Sequence, residues 1–106
     1  TSMASINWQE EAIVIERTVR TLEPSPGAYT FLDKKRLKIH GAHAVQASTD
    51  NAPGTVISVS KSDFTVQTGA GALKVTSVQP ESRKTMTSAQ FLQSHDLQVG
   101  AVLGIE

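Results

Sequence analysis

The sequence predicts a mainly β domain, a small antiparallel barrel or sandwich of about five to six strands. One helix is expected before the strands and a second, short helix near the C-terminus. Apolar residues recur at helical spacing near the N-terminus, and from residue 28 onward they alternate with a period of two. Short alternating runs separated by glycine-containing turns are typical of small antiparallel barrels and sandwiches.

The first helix is predicted from an apolar face whose members are three or four residues apart, namely Trp8, Ala12, Ile15, Val19 and Leu22. Asn7 is a good N-cap, and Glu10 stands three residues later, where a capping box has its acidic residue. Because a residue before proline avoids the helical conformation, Glu23 is expected to end the helix. The Pro26-Gly27 pair that follows is typical of a tight turn.

Two strands are predicted after this turn. On the first, Tyr29 and Phe31 share one face. The second strand has one face formed by Leu37 and Ile39, and its other face carries Arg36, Lys38 and His40. Gly41 is a candidate for a bulge, because the alternation loses its clarity beyond it.

The rest of the chain alternates between short strands and turns. Residues 55–60 and 64–68 are predicted strands joined by a hairpin, and residues 69–71 turn the chain into a strand over 73–78. Thr87 and Gln90 have the spacing of a capping box, which predicts a short helix. Residues 99–105 are expected to close the structure as an extended segment.

Length and composition place this chain among small globular domains. Residues 6–106 suffice for one domain, and residues 1–5 are interpreted as a linker or a non-native remnant. The absence of cysteine excludes disulfides and thiolate metal sites. No apolar run is long enough to cross a bilayer. The formal net charge of zero argues against nucleic-acid binding unless the charges are segregated.

Taken together, the motifs of the chain resemble a known family. They occur in order over nearly the whole sequence, and they are Ile6-Asn-Trp8, Arg17…Val19-Arg20, Pro24-x-Pro-Gly-Ala28, Leu37-Lys-Ile39, Ala52-Pro-Gly-Thr55, Val66-x-Thr-Gly69, Leu73-x-Val75, Val78-Gln-Pro80, Lys84-x-Met86, Ser88-Ala-Gln-Phe-Leu92 and Val99-Gly100…Leu103-Gly104. The pattern is similar to the C-terminal domain of methionyl-tRNA formyltransferases. Two departures are Asn7, where aspartate is commoner, and Ser82, which replaces a usual glycine.

The resemblance implies an OB-fold-like barrel that helps to hold the initiator tRNA. It also implies that 10-formyltetrahydrofolate and the formyl-transfer chemistry belong to a separate, larger N-terminal domain, so that this chain carries no cofactor and acts in the cytoplasm. Formyltransferases acting on sugars or folate have similar C-terminal domains. The motifs therefore identify the domain more specifically than the enzyme to which it belongs.

No residue pattern in the chain indicates catalysis. On a regular strand His40 and His43 point to opposite faces, so they are not expected to share a metal ion. The His95-Asp96 pair is interpreted as a solvated loop or helix end. Because no nucleophile with an adjacent base is recognisable, the isolated chain is predicted to have neither a catalytic nor a metal site.

Basic residues are the candidates for a binding function. The predicted nucleic-acid-binding set is Lys34, Lys35, Arg36, Lys38, His40, Lys74, Arg83 and Lys84. A row of cations on one strand can meet successive phosphates through charge-assisted hydrogen bonds. Such residues are more commonly solvated charges that protect an edge strand, and it is the family resemblance that favours RNA binding.

The aromatic residues define the kind of RNA binding that the sequence predicts. Trp8 is assigned to the apolar face of the helix. The three phenylalanines, Phe31, Phe64 and Phe91, are assigned to the core. Tyr29 then remains as the one plausible surface ring, which predicts recognition of the backbone and shape of a structured RNA and not readout of its sequence. The alternative is an interaction or structural module of a related formyltransferase, with a sugar or folate substrate, that docks on its N-terminal catalytic domain without binding RNA.

Overall fold

The computed structural model describes residues 3–48 and 50–105. Two helices and seven strands form in the order β1 (Ala4–Ser5), α1 (Ala12–Leu22), β2 (Ala28–Leu32), β3 (Lys35–Val45), β4 (Val56–Val59), β5 (Phe64–Gln67), β6 (Ala72–Pro80), β7 (Met86–Thr87) and α2 (Ser88–Ser94). The mainly β class with a helix near each end is confirmed. The additional strands are the two short ones, β1 and β7.

All seven strands belong to one sheet. Its hydrogen-bonded order is β1-β2-β3-β6-β5-β4, and β7 pairs with β6. β1 runs parallel to β2, and every other pairing is antiparallel. β1 and β4, the two ends of this order, do not pair with each other within the described residues, so the sheet does not close into a barrel. The C-terminal segment spans this gap, because Leu103 N–H donates to the Gly54 carbonyl at 2.8 Å and Gly104 N–H to the Phe31 carbonyl at 2.8 Å.

The N-terminal segment differs from the prediction. Ala4 and Ser5, which the sequence assigned to a linker, form β1 and pair with Ala28 and Tyr29, whereas residues 1 and 2 lie outside the described part of the chain. The helix begins at Ala12 and not at Asn7, and its N-cap residue makes no side-chain capping bond. The predicted capping box at Asn7 is therefore wrong.

Tertiary contacts explain the late start of α1. The Trp8 indole Nε1–H donates to the buried Thr30 hydroxyl at 2.9 Å, so Trp8 belongs to a turn that is anchored in the core. The carbonyls of Trp8 and Glu10 both accept from Gly69 N–H at 3.0 Å. The Ala12 N–H, which a longer helix would direct to the Trp8 carbonyl, donates instead to the carbonyl of Ala70, in the same loop as Gly69, at 2.9 Å.

The far end of α1 and the β3 bulge follow the prediction. Leu22 is the last helical residue, and Glu23 is extended, with φ −79° and ψ 145°. β3 and β6 shift register on both sides of Gly41. A Cβ atom on Gly41 would lie 2.8 Å from the Thr76 hydroxyl oxygen and 3.1 Å from the Ser77 Cβ, so a side chain here would force one of the paired strands to shift.

The core lies between the curved sheet, α1 and α2. α1 contributes Ala12, Ile15 and Val19 to it, and the sheet contributes Phe64, which packs near Phe91 of α2 with 6.2 Å between the ring centroids. The capping box of α2 is confirmed, because the Thr87 hydroxyl accepts from Gln90 N–H at 3.2 Å and the Gln90 side-chain oxygen from Thr87 N–H at 3.0 Å.

Candidate nucleic-acid interface

The β2–β3 turn presents the densest group of cations in the chain. Its two central residues, Asp33 and Lys34, have φ values of 51° and 68°. Two consecutive positive φ values define the type I′ turn, whose twist matches a β-hairpin. The turn fixes the pairing of Leu32 with Lys35 and of Phe31 with Arg36. Lys34, Lys35 and Arg36 are consequently exposed at the tip of a rigid hairpin.

A second cationic turn joins β6 to β7. Ser82 has a φ of 63°, a conformation that glycine adopts more readily than other residues. Arg83 N–H donates to the Pro80 carbonyl at 3.1 Å and closes the turn. Arg83 and Lys84 are both exposed on it.

The two turns lie side by side. Leu37 of β3 pairs with Pro80 of β6, and the Arg36 backbone N–H donates to the Glu81 carboxylate at 3.2 Å. Lys35, Arg36 and Arg83 line a single cavity of about 280 Å³. The cationic surface formed by these two turns, here called the basic edge, comprises Lys34, Lys35, Arg36, Lys38, Arg83 and Lys84.

Charge is strongly segregated toward the basic edge. The chain has ten lysines and arginines, and six of them belong to this edge. Two carboxylates, those of Asp33 and Glu81, line the same cavity as Lys35, Arg36 and Arg83, in a chain of net charge zero. Within residues 3–48 and 50–105, no side chain of the basic edge has a carboxylate oxygen within 4.0 Å. These cations are therefore not neutralised by ion pairs.

His40 shares the outward face of β3 with Arg36 and Lys38, but its ring is already engaged. Its Nδ1 lies 2.6 Å and 2.8 Å from the two Glu23 carboxylate oxygens, and its Nε2 lies 2.9 Å from the Gln79 side-chain oxygen. The Gln79 Nε2 donates to the Arg83 carbonyl at 2.9 Å, which fixes the orientation of the amide.

Both ring nitrogens of His40 thus lie within hydrogen-bond distance of side-chain oxygens that come from two other elements. His40 therefore connects the end of α1 to the β6–β7 turn. It supports the Arg83 backbone and is not free to contact a phosphate.

Lys74 lies away from the basic edge. It stands opposite His43 on β3 and Thr65 on β5, five residues along β6 from Gln79. At about 3.3 Å per residue this separation is about 16 Å. The structure thus brings together six of the eight predicted binding residues, and leaves His40 and Lys74 outside the group.

Phe31 is the functional candidate that the sequence interpretation missed. It was assigned to the core, but it is only half-buried and lies outside the buried apolar cluster. Its ring meets that of Tyr29 edge-to-face, with 5.6 Å between centroids and an interplanar angle of 87°. The alternation of β2 could have revealed this, because it places both rings on the face opposite Thr30.

The described residues show no arrangement for other chemistry. His40 and His43 line the same shallow depression because of the Gly41 bulge, which differs from the expectation for a regular strand. No group of three or more His, Asp or Glu side chains in this part of the chain is placed to hold a metal ion. Neither described helix has the length and apolarity that a membrane span requires.

Comparison with known sequences decides the family. Residues 1–96 match the family described as formyl transferase, C-terminal domain. The chain belongs to this family. Methionyl-tRNA formyltransferases from Moorella thermoacetica and Bdellovibrio bacteriovorus are 42% and 41% identical to it over 99 and 105 residues. These alignments cover 93% and 96% of this C-terminal domain, but only 32% and 33% of the two relatives.

The formyltransferase C-terminal domain spans about a third of the length of the curated relatives that it matches. Among solved structures, a variant of HypX from Aquifex aeolicus shares the fold with a TM-score of 0.69 and 20% identity. The match covers 85% of this chain and 16% of that one. At this identity the likeness establishes a common fold and nothing about function.

Proposed function

We propose that the chain is the accessory RNA-binding domain of a methionyl-tRNA formyltransferase. In this proposal it orients the initiator methionyl-tRNA, while a separate N-terminal domain binds 10-formyltetrahydrofolate and transfers the formyl group. The observation that carries the proposal is the basic edge, where six of the ten lysines and arginines of a neutral chain lie together and form no ion pair within residues 3–48 and 50–105.

The basic edge suits phosphate contacts better than it suits catalysis. Cations on two adjacent turns can meet neighbouring phosphates, and such contacts position an RNA without reading its sequence. Holding the substrate in one orientation accelerates a reaction that another domain performs. His40 contributes indirectly, because it supports the turn that carries Arg83.

The salt dependence of tRNA binding tests this proposal. If about four cations meet phosphates, the logarithm of the affinity falls with the logarithm of the salt concentration at a slope of about −3. The double substitution Lys35→Gln and Lys84→Gln should make the slope shallower by about 1.5. Binding is measured from low salt upward, because a neutral domain is expected to bind weakly.

A matched control removes the same number of positive charges from outside the basic edge. Arg17 on α1 and Lys61 in the β4–β5 turn are exposed and lie outside the basic edge. The double substitution Arg17→Gln and Lys61→Gln should leave the slope unchanged. Equal effects of the two double substitutions, or a slope near zero for the unaltered domain, would contradict the proposal.

A second candidate function is docking on the N-terminal formyltransferase domain without RNA binding. It is favoured by a depression on the outer side of α1, lined by Ala4, Val14, Leu22 and the stem of Arg17, in which apolar surface predominates. Ile13, on the same helix, is 45% exposed. This candidate predicts binding to the purified N-terminal domain that Val14→Gln abolishes and that Lys35→Gln does not change.

A further inference from the structure

The outward face of β2 carries two aromatic rings where a small domain would ordinarily bury them. Tyr29 and Phe31 are half-buried, whereas Thr30 between them is 1% exposed. Thr30 occupies the core side because its hydroxyl is the partner of the Trp8 indole. The pattern is thus the reverse of a simple hydrophobic arrangement, with the polar residue inside and the aromatic residues outside.

Cations of the basic edge surround these rings. The Arg36 guanidinium carbon lies 5.0 Å from the centroid of the Tyr29 ring, within the range of a cation–π contact. Lys38 pairs directly with Tyr29 across the β2–β3 ladder, and Arg36 pairs with Phe31. The aromatic face and the cationic surface are therefore one continuous patch, formed on two hydrogen-bonded strands.

We propose that Tyr29, Phe31 and the Arg36 guanidinium form a platform on which an unpaired RNA base stacks, with Lys38 placed to meet an adjoining phosphate. This inference rests on the proposed RNA-binding function and makes it more specific. A nucleotide combines a flat aromatic base with a negatively charged phosphate, and the patch offers aromatic rings beside cations. An apolar protein surface would satisfy the rings but would leave Arg36 and Lys38 without partners.

The platform also revises how the RNA is recognised. Contacts of the two turns with phosphates are independent of pairing, but a stacking platform requires a base that is free of the helix. Arginine planes and aromatic rings both accept stacked bases, with little dependence on base identity. The domain should consequently prefer RNA that has an unpaired segment next to a duplex over the duplex alone.

Binding to three RNA probes tests the platform. The probes are a tRNA, a single-stranded oligonucleotide that contains 2-aminopurine, and a blunt duplex of the same length. Phe31→Leu should weaken single-strand binding about five- to a hundredfold, the range measured for the loss of one stacked base. It should also abolish the quenching of 2-aminopurine fluorescence that accompanies stacking. Duplex binding should stay within about twofold.

Conservative variants separate stacking from folding. Phe31→Tyr keeps a ring and should retain both affinity and quenching, and Tyr29→Phe should do the same. Urea unfolding of Phe31→Leu verifies that the domain remains folded. If Phe31→Leu proves unstable, Tyr29→Leu provides the same comparison at the neighbouring ring.

The possible failures are distinguishable. If the unaltered domain binds none of the probes at low salt, the proposed RNA-binding function itself fails. If the domain binds tRNA and Phe31→Leu binds all three probes as the unaltered domain does, the platform is wrong and the RNA-binding function stands. A loss of binding to the N-terminal formyltransferase domain in Phe31→Leu, with unchanged binding to RNA, would assign this face to a protein contact and overturn the platform.

Discussion

Two phenylalanines in short strands of the same sheet have opposite surroundings. Phe64 in β5 is fully buried and packs near Phe91, whereas Phe31 in β2 is half-buried beside Tyr29 and Arg36. The first belongs to a core that any globular domain needs. The second is only partly buried, lies outside the buried apolar cluster and pairs with a charged residue across the ladder. The difference indicates that β2 and β3 serve binding on their outer face and folding on their inner face.

The largest expected effect is the difference in stability between domains in which the ring of Phe64 or the ring of Phe31 is removed. Phe64→Ala should destabilise the domain by about 3–5 kcal/mol, because it removes a buried ring and leaves a cavity. Phe31→Ala should cost about 1–2 kcal/mol, since that ring is only partly buried and lies outside the buried apolar cluster. Chemical denaturation of both variants measures the difference. Equal losses of stability would show that Phe31 is a core residue.

The buried threonine of β2 gives a smaller effect. Thr30→Val should cost about 1–3 kcal/mol, because the Trp8 indole N–H would remain buried without an acceptor. Thr65→Val is the matched control, since Thr65 is also buried but its hydroxyl makes no hydrogen bond within the described residues. A double-mutant cycle of Thr30→Val with Trp8→Phe should give a coupling energy of about 1 kcal/mol. Additive effects would contradict the role assigned to this bond.

The smallest expected effect concerns the helix beside the basic edge. Thr87→Ala removes one half of the α2 capping box and should lower stability by about 1 kcal/mol. Exposed Thr85, two residues earlier, is the control for the same substitution. Neither variant should alter the salt slope of RNA binding, because the cations lie outside the helix. A changed slope in Thr87→Ala would show that α2 positions the basic edge.

Much of the fold could be predicted from local patterns. The stop at Glu23, the hairpin before Phe64 and the capping box at Thr87 depend on neighbours within a few residues, and the sequence displays them directly. The start of α1 could not be predicted in the same way. Its position is set by the β5–β6 loop, where Gly69 engages the Trp8 and Glu10 carbonyls from a distant part of the chain.

The candidate site was predicted less completely, for a related reason. The cations at the β2–β3 turn are adjacent in sequence, so their grouping was visible. The approach of Arg83 depends on the pairing of β3 with β6, and the engagement of His40 depends on Glu23 and Gln79, which come from two other elements. Assigning Phe31 to the core followed from its residue type and ignored the alternation that it shares with Tyr29.

Backbone chemical shifts provide the most direct test of the central claim, that the basic edge is the surface that meets RNA. The ¹⁵N-labelled domain is titrated with tRNA at low salt. We predict that the largest shifts will fall on residues 34–38 and on Arg83 and Lys84, with those of α1 nearly unchanged. Shifts confined to α1, or no shifts at all with a tRNA excess, would contradict the account.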